Sequence, residues 1–175
     1  VQEGSTTVCR WIQSKLSQKA NKKERGQGLV EFALVIPVLL LLMMGIFEFG
    51  YFFFVYSSVN TASREAVRYG AGSGANPSGV VYSMDCAGIR EVARRIGQYA
   101  NITDGDVAIF YDTGPGTTSK GNCNGVYQPV LGERVVVKVD VKYYPIILDW
   151  LFPVDGVPIH SESARTIIRR MQVGG

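Results

Sequence analysis

Residues 32–47 read FALVIPVLLLLMMGIF, a run of 16 residues that contains no charge. A single acid, Glu48, separates it from a second uncharged stretch over residues 49–63. One helix over residues 32–56 would measure about 37 Å, which exceeds the ~30 Å hydrocarbon core of a bilayer. A core helix of a soluble protein rarely needs this apolar length, and the apolar part of a cleavable secretory signal is shorter. The sequence therefore predicts a transmembrane helix that stays attached to the mature protein.

The flanks of this helix differ in charge. Residues 1–26 contain six basic and two acidic side chains, a net charge of +4, although the whole chain of 175 residues carries only +3. Basic segments remain on the cytoplasmic side of a membrane helix. We therefore expect a single-pass protein of the inner (cytoplasmic) membrane, with a cytoplasmic amino terminus and a periplasmic or extracellular domain. The aromatic residues within 47–56 would form an interfacial belt.

A short motif opens the apolar helix: Gly26, four further residues, then Glu31 and Phe32. With its surroundings, RGQGLVEFALVIP at residues 25–37 and NTASREAVRYG at residues 60–70, it resembles the TadE/TadG-like family, the minor pseudopilins of tight-adherence (Flp-type) pili. The resemblance implies that a prepilin peptidase cuts after Gly26. Gln27 would then become the amino terminus, and Glu31 would compensate the amino-terminal charge of a neighbouring pilin-like subunit.

For residues 1–26 we expect the opposite outcome, a retained leader that lies along the inner membrane surface. Anionic lipid attracts basic side chains by about 1 kcal/mol each near the surface, and the leader has six. Its apolar side would comprise Val8, Trp11, Ile12 and Leu16. With the leader retained, Glu31 would pair with Lys22, Lys23 or Arg25.

Three residues of the helix are candidates for an intramembrane contact with other transmembrane subunits through residues 32–56. Glu48 is either an interfacial carboxylate, which snorkels or stays protonated, or one partner of an ion pair with another subunit's helix. Gly45 and Gly50 would permit close helix approach, although they are five residues apart and form no GxxxG pair.

The rest of the chain predicts an α+β fold, membrane-anchored: a long transmembrane helix followed by a small extracytoplasmic domain of one helix on a short antiparallel sheet. The transmembrane helix and its extension occupy residues 27–71, a Gly-rich linker residues 72–79, and the domain residues 80–175. Within the domain, helical spacing of apolar residues over 89–100 indicates a helix capped by Asp85. Strands are predicted at 107–112, 134–144 and 158–170, with a long loop at 114–125.

Cys86 and Cys123 both fall in the part placed outside the cytoplasm, where oxidation is favoured. We expect them to form a disulfide, the alternative being two unpaired buried thiols.

No catalytic, cofactor-binding or metal-binding pattern stands out. The chain has one histidine, His160, and three cysteines without CxxC spacing. The net charge of −1 beyond residue 26 argues against nucleic-acid binding. We therefore expect no enzyme activity and no cofactor. The predicted function is a structural, accessory subunit of a membrane protein complex with a retained leader, and the alternative is a minor pilin processed after Gly26.

Overall fold

The computed structural model describes residues 4–124, 126–151 and 155–168. Helix α1 runs over Gly4–Gly70 and continues through Pro37. This confirms the long amino-terminal helix and its predicted end near residue 70. The chain forms two compact units, Val1–Phe47 and Glu48–Gly175. The second unit therefore includes the last third of α1 as well as everything that follows.

The second unit has an α+β fold, as predicted. Its four strands are β1 (Val107–Asp112), β2 (Gly121–Asn122), β3 (Arg134–Tyr143) and β4 (Val157–Thr166). They form one antiparallel sheet in the order β2-β1-β3-β4. Two further helices, α2 (Cys86–Ile96) and α3 (Ile146–Leu151), complete the regular structure with 3-10 turns at Tyr82–Met84, Gln98–Ala100 and Asp104–Asp106. The short elements β2 and α3 had no counterpart among the predicted elements, and residues 169–170 of the predicted third strand lie outside the described residues.

Strand β3 forms because apolar and polar side chains alternate along it. Its odd-numbered residues, from Val135 to Tyr143, are buried, and Lys138 and Asp140 lie on the opposite face. The buried side chains join one core with residues of α2 and α1. The contribution of α1 consists of Val55, Val59, Ala62, Ala66 and Val67. The domain core is thus shared with the helix, so the division predicted at residues 72–79 does not separate two cores.

Hydroxyl groups also join α1 to strand β4. Ser63 Oγ lies 2.8 Å from Ser161 Oγ and 2.9 Å from Ser163 Oγ, and Ser161 donates to the Asn60 side-chain oxygen at 3.0 Å. Ser63 and Ser161 are buried, and buried hydroxyls are costly without hydrogen-bond partners. These contacts therefore favour one register of the helix on the sheet.

The segment predicted as a linker is an ordered loop. The Asn76 side-chain oxygen accepts hydrogen bonds from the Ser78 and Val80 amides, and its amide nitrogen donates to Asp85 at 2.9 Å. Gly74 and Gly79 both have positive φ, which glycine adopts without steric cost. Asp85 then caps α2 by accepting from the Gly88 amide at 2.9 Å, as predicted.

The Cys86–Cys123 disulfide is present. It joins the first residue of α2 to the residue after β2, across a sequence separation of 37. The hydroxyl of buried Tyr111 lies 3.0 Å from Cys123 Sγ, and its ring stacks on that of Tyr127. The bond therefore connects the helix layer to the short edge strand of the sheet.

Candidate membrane anchor and the Glu48 junction

The apolar run of α1 is exposed on all sides until residue 47. Large apolar side chains from Leu29 to Phe47 are exposed except that of half-buried Ile36, and none of the most apolar window of the helix is buried. Residues 26–47 extend about 33 Å as a helix, which matches a hydrocarbon core of ~30 Å. Beyond Glu48 the helix has two sides. One side enters the domain core from Val55 onward, while Phe49, Phe53 and Tyr56 remain exposed.

This distribution divides the stretch that was predicted to span the membrane. The sequence predicted one lipid-facing stretch over residues 32–56, whereas exposure on all sides ends at residue 47, nine residues earlier. Val55, which is 3% exposed, belongs to the domain core. The exposed aromatic side of residues 49–56 lies where an interfacial belt was expected.

The processing motif lies on an open helical surface. All four residues of the motif are exposed: Gly26, Gln27, Glu31 and Phe32. A Cβ atom added to Gly26 would meet nothing within 4 Å among the described residues. The predicted partners of Glu31 in the leader belong to residues 1–25, whose side chains lie outside the description. Cleavage after Gly26 and the role of Glu31 therefore stay predictions.

The two glycines predicted to contact other subunits also face open space. A Cβ on Gly45 or on Gly50 would meet nothing within 4 Å in the described chain. Five residues of helix turn through about 140° beyond a full turn, so the two glycines point to different sides. One partner helix cannot use both. Their contact with another subunit stays a prediction.

Glu48 is bonded within its own chain. One carboxylate oxygen accepts from the Tyr143 hydroxyl at 2.6 Å and from the Ile146 amide at 2.9 Å. The other oxygen accepts from the Ile147 amide at 2.9 Å. The two amides belong to the first turn of α3, where backbone N–H groups lack helical partners. Glu48 thus ties α1 to the β3–α3 connection. We call this set of contacts the Glu48 junction.

Tyr143 supports the junction from the end of β3. Burial and the hydrogen bond to Glu48 raise the pKa of its phenol, so the hydroxyl remains a donor at physiological pH. Its ring packs against Phe52 edge to face, with centroids 5.2 Å apart, and against Tyr51 at 5.8 Å. Sequence reasoning placed Tyr143 on a buried strand face but missed its pairing with Glu48. A buried tyrosine needs a partner for its hydroxyl, which was the available signal.

A groove of about 660 Å³ opens beside the junction, lined by Tyr51, Tyr99, Tyr144, Lys142 and His160 among others. His160 is exposed, and its Nδ1 lies 2.5 Å from the Asp140 carboxylate. Burial of Asp140 is outweighed by hydrogen bonds from His160 and Lys138, which lower the pKa of its carboxyl group. Within the described ranges, no group of three or more His, Cys, Asp or Glu residues is placed to hold a metal ion.

These features define a small α+β protein with a membrane anchor, since the described residues contain one helix that is long and apolar enough to span a bilayer. Residues 26–68 match the model of the TadE-like protein family, which confirms the resemblance over this segment of α1. No curated protein and no solved structure gave a significant match. The family match and the anchor together support a membrane-anchored, pilus-related protein.

Proposed function

We propose that this protein is a non-enzymatic, accessory structural subunit of a pilus-associated membrane complex, with its leader retained. The observation that carries the proposal is the division of α1. Its first part, residues 26–47, offers an apolar surface to lipid or to other helices, and residues 55–67 form part of the domain core. A helix of this kind connects a complex within the membrane to a domain outside the bilayer.

The exposed helix surface is suited to other transmembrane subunits. Association between membrane helices depends on close packing and on small or polar side chains, since lipid tails are as apolar as leucine. Gly45 supplies a small residue within the fully exposed part of the span, and Glu48 has already used its carboxylate within the chain. We therefore favour helix packing around residues 32–47 over an ion pair of Glu48 as the basis of subunit contact.

A second candidate is a minor pilin that is processed after Gly26. One observation favours it: the family match begins at Gly26, the residue after which the motif predicts cleavage. The backbone is helical through this residue, so a peptidase must first unwind it. Gly26 and Gly28 lower the helix propensity there by about 1 kcal/mol each relative to alanine.

Mass spectrometry of the amino terminus, on protein purified from native membranes, separates the two candidates. An accessory subunit with a retained leader yields peptides that cross the Gly26–Gln27 bond. Gln27 as the only amino terminus would overturn that proposal and establish the processed pilin. A Gly26→Leu variant, compared with Gly28→Leu as a matched control, shows whether any cleavage depends on the motif.

Subunit contact needs a separate test. A photo-crosslinking residue at Leu40, an exposed position in the middle of the span, should give adducts with other membrane proteins in native membranes. The same probe at exposed Val126 in the domain serves as the control. Lipid adducts alone at Leu40 would contradict the proposed role in a complex.

A further inference from the structure

We propose that the β3–α3 connection and helix α3 form a second membrane contact, in which residues 144–151 lie in the lipid headgroup and acyl-chain boundary. These residues read YPIILDWL and contain one charge, Asp149. Short apolar segments with aromatic residues are favoured in the interfacial region, where an apolar body and a polar tip are both satisfied. The inference rests on the proposed anchoring of α1 in a bilayer.

The Glu48 junction fixes the depth of this segment. Residues 26–47 account for about 33 Å of helix, so Glu48 follows at the outer boundary of a ~30 Å hydrocarbon core. The amides of Ile146 and Ile147 both lie 2.9 Å from the Glu48 carboxylate. The start of α3 is therefore held at the level where the anchor leaves the bilayer.

Among the side chains described in this segment, those of Tyr144 and Ile146 are exposed, whereas Pro145 is buried and Ile147 is half-buried. Ile146 is 63% exposed and Tyr144 is 55% exposed, and neighbouring Val157 is also exposed. Isolated apolar residues are common on protein surfaces. This group differs because the amide of Ile146 is bonded to Glu48, the residue that directly precedes exposed Phe49 of α1. In the proposed arrangement, lipid covers these exposed side chains.

A second contact would restrict how the domain stands on the membrane. One helix crossing the bilayer leaves rotation about its axis and a range of tilt angles, which packing partners and interfacial anchors normally limit. With α3 in the interface, the domain is held to the membrane at two places, which limits both motions. The opposite end, near exposed Ile168, remains available to subunits outside the bilayer.

Tryptophan quenching by brominated phosphatidylcholine tests the proposal on the full chain in vesicles. The chain has two tryptophans, and a Trp11→Phe variant leaves Trp150, within α3, as the only reporter. We expect its emission to be shifted to the blue and quenched by lipids brominated near the carbonyl end of the acyl chain. Ile146→Asp in the same background should lose much of this quenching. Ile168→Asp, at an exposed apolar site just beyond the other end of β4, should leave it unchanged.

Glu48→Ala provides an independent variant, since it releases α3 without altering the apolar segment. Its quenching should become weaker and spread over a wider range of depths. Flotation of the vesicles shows whether a negative result concerns the second contact alone or the membrane anchor as well. Protein that floats with unquenched Trp150 would overturn the second contact and leave the anchor intact, whereas protein that does not float would overturn both. A photo-crosslinker at Ile146 in native membranes should label lipid, and consistent labelling of a protein there would assign the surface to another subunit instead.

Discussion

Asp85 holds three segments together at the residue scale. Its carboxylate accepts from the Gly88 amide at 2.9 Å, from the Tyr69 hydroxyl at 2.7 Å and from the Asn76 side chain at 2.9 Å. These donors come from the start of α2, the end of α1 and the loop between them. Burial opposes ionisation of Asp85, but the three hydrogen bonds outweigh it and lower the pKa of the carboxyl group. The ionised form therefore stabilises the fold.

Lowering the pH should reduce the stability of the domain, because it protonates the Asp85 carboxylate. Because the folded-state pKa is below the unfolded value of about 3.9, the contribution is complete above that pH and is lost as the pH falls through the folded-state pKa. We expect the urea midpoint of the wild type in micelles to drop between pH 6 and pH 3 more than that of Asp85→Asn. Asp155→Asn, at an exposed position, is the control. Equal acid sensitivity of the wild type and Asp85→Asn would contradict the assignment.

Gly88 is constrained by the same site. A Cβ at this position would lie 2.6 Å from the Tyr69 hydroxyl and closer still to the Asp85 carboxylate, inside normal contact distance. Gly88→Ala should therefore displace the cap of α2 and cost about 1–3 kcal/mol, the range for overpacking and for loss of an N-cap. Gly105→Ala is the matched control, because its Cβ would meet only Thr103 Oγ1, at 3.8 Å. Similar midpoints of denaturant unfolding for the two variants would refute this reading.

At the scale of elements, the disulfide stabilises the attachment of α2 to the sheet. Closing a loop with a separation of 37 residues contributes about 3–4 kcal/mol in the chain-entropy model. A double variant, with Cys86→Ser and Cys123→Ser, should have a free energy of unfolding that is lower by roughly this amount. A reducing agent should lower the stability of the wild type and leave the double variant unchanged. Free Cys86 in a non-reducing peptide map would contradict the bond itself.

Some elements could be predicted from the sequence and others could not, for physical reasons. The alternation from Val135 to Tyr143 is long enough to specify a strand, and Asp85 before an amphipathic stretch specifies a helix start. Helix α3 is six residues long, too short for periodicity to distinguish it from a strand or a loop. Strand β2 exists only through its pairing with β1 at Phe110 and Tyr111. Its two residues carry no pattern of their own.

At the Glu48 junction, the sequence identified one residue of the candidate site but not its partners. Sequence singled out Glu48 correctly as an unusual acid beside an apolar run. Its partners, Tyr143 and the amides of α3, are separated from it by almost 100 residues. The antiparallel course of β3 against α1 brings them together, and that geometry depends on the packing of Val55 and Val59 in the core. Local pattern therefore finds the acid and misses its role.

At the scale of the whole molecule, apolar composition alone could not separate the anchor from the core. Residues 26–47 and 49–67 both contain long uncharged stretches, and lipid tails and a protein interior favour the same side chains. The distinction comes from what covers the helix. Val59 and Ala62 have no exposed surface, whereas Leu34 and Leu41 are 70% and 66% exposed. One helix therefore serves as anchor in its first part and as core in its last part.

Protease accessibility in intact spheroplasts tests the orientation of this molecule. The net charge of +4 on residues 1–26 predicts a cytoplasmic leader, and the disulfide favours an oxidising compartment for the domain. Trypsin should cut the intact spheroplast protein in the exposed loop around Lys120, while the basic leader remains protected. Lys120 lies between Cys86 and Cys123, so the disulfide holds the two fragments together after cleavage there. They separate only when a reducing agent is added. After permeabilisation, cleavage should extend to Lys15 and Lys19. The reverse pattern, with the leader cut and the domain protected in intact spheroplasts, would show that the helix crosses the membrane in the opposite direction.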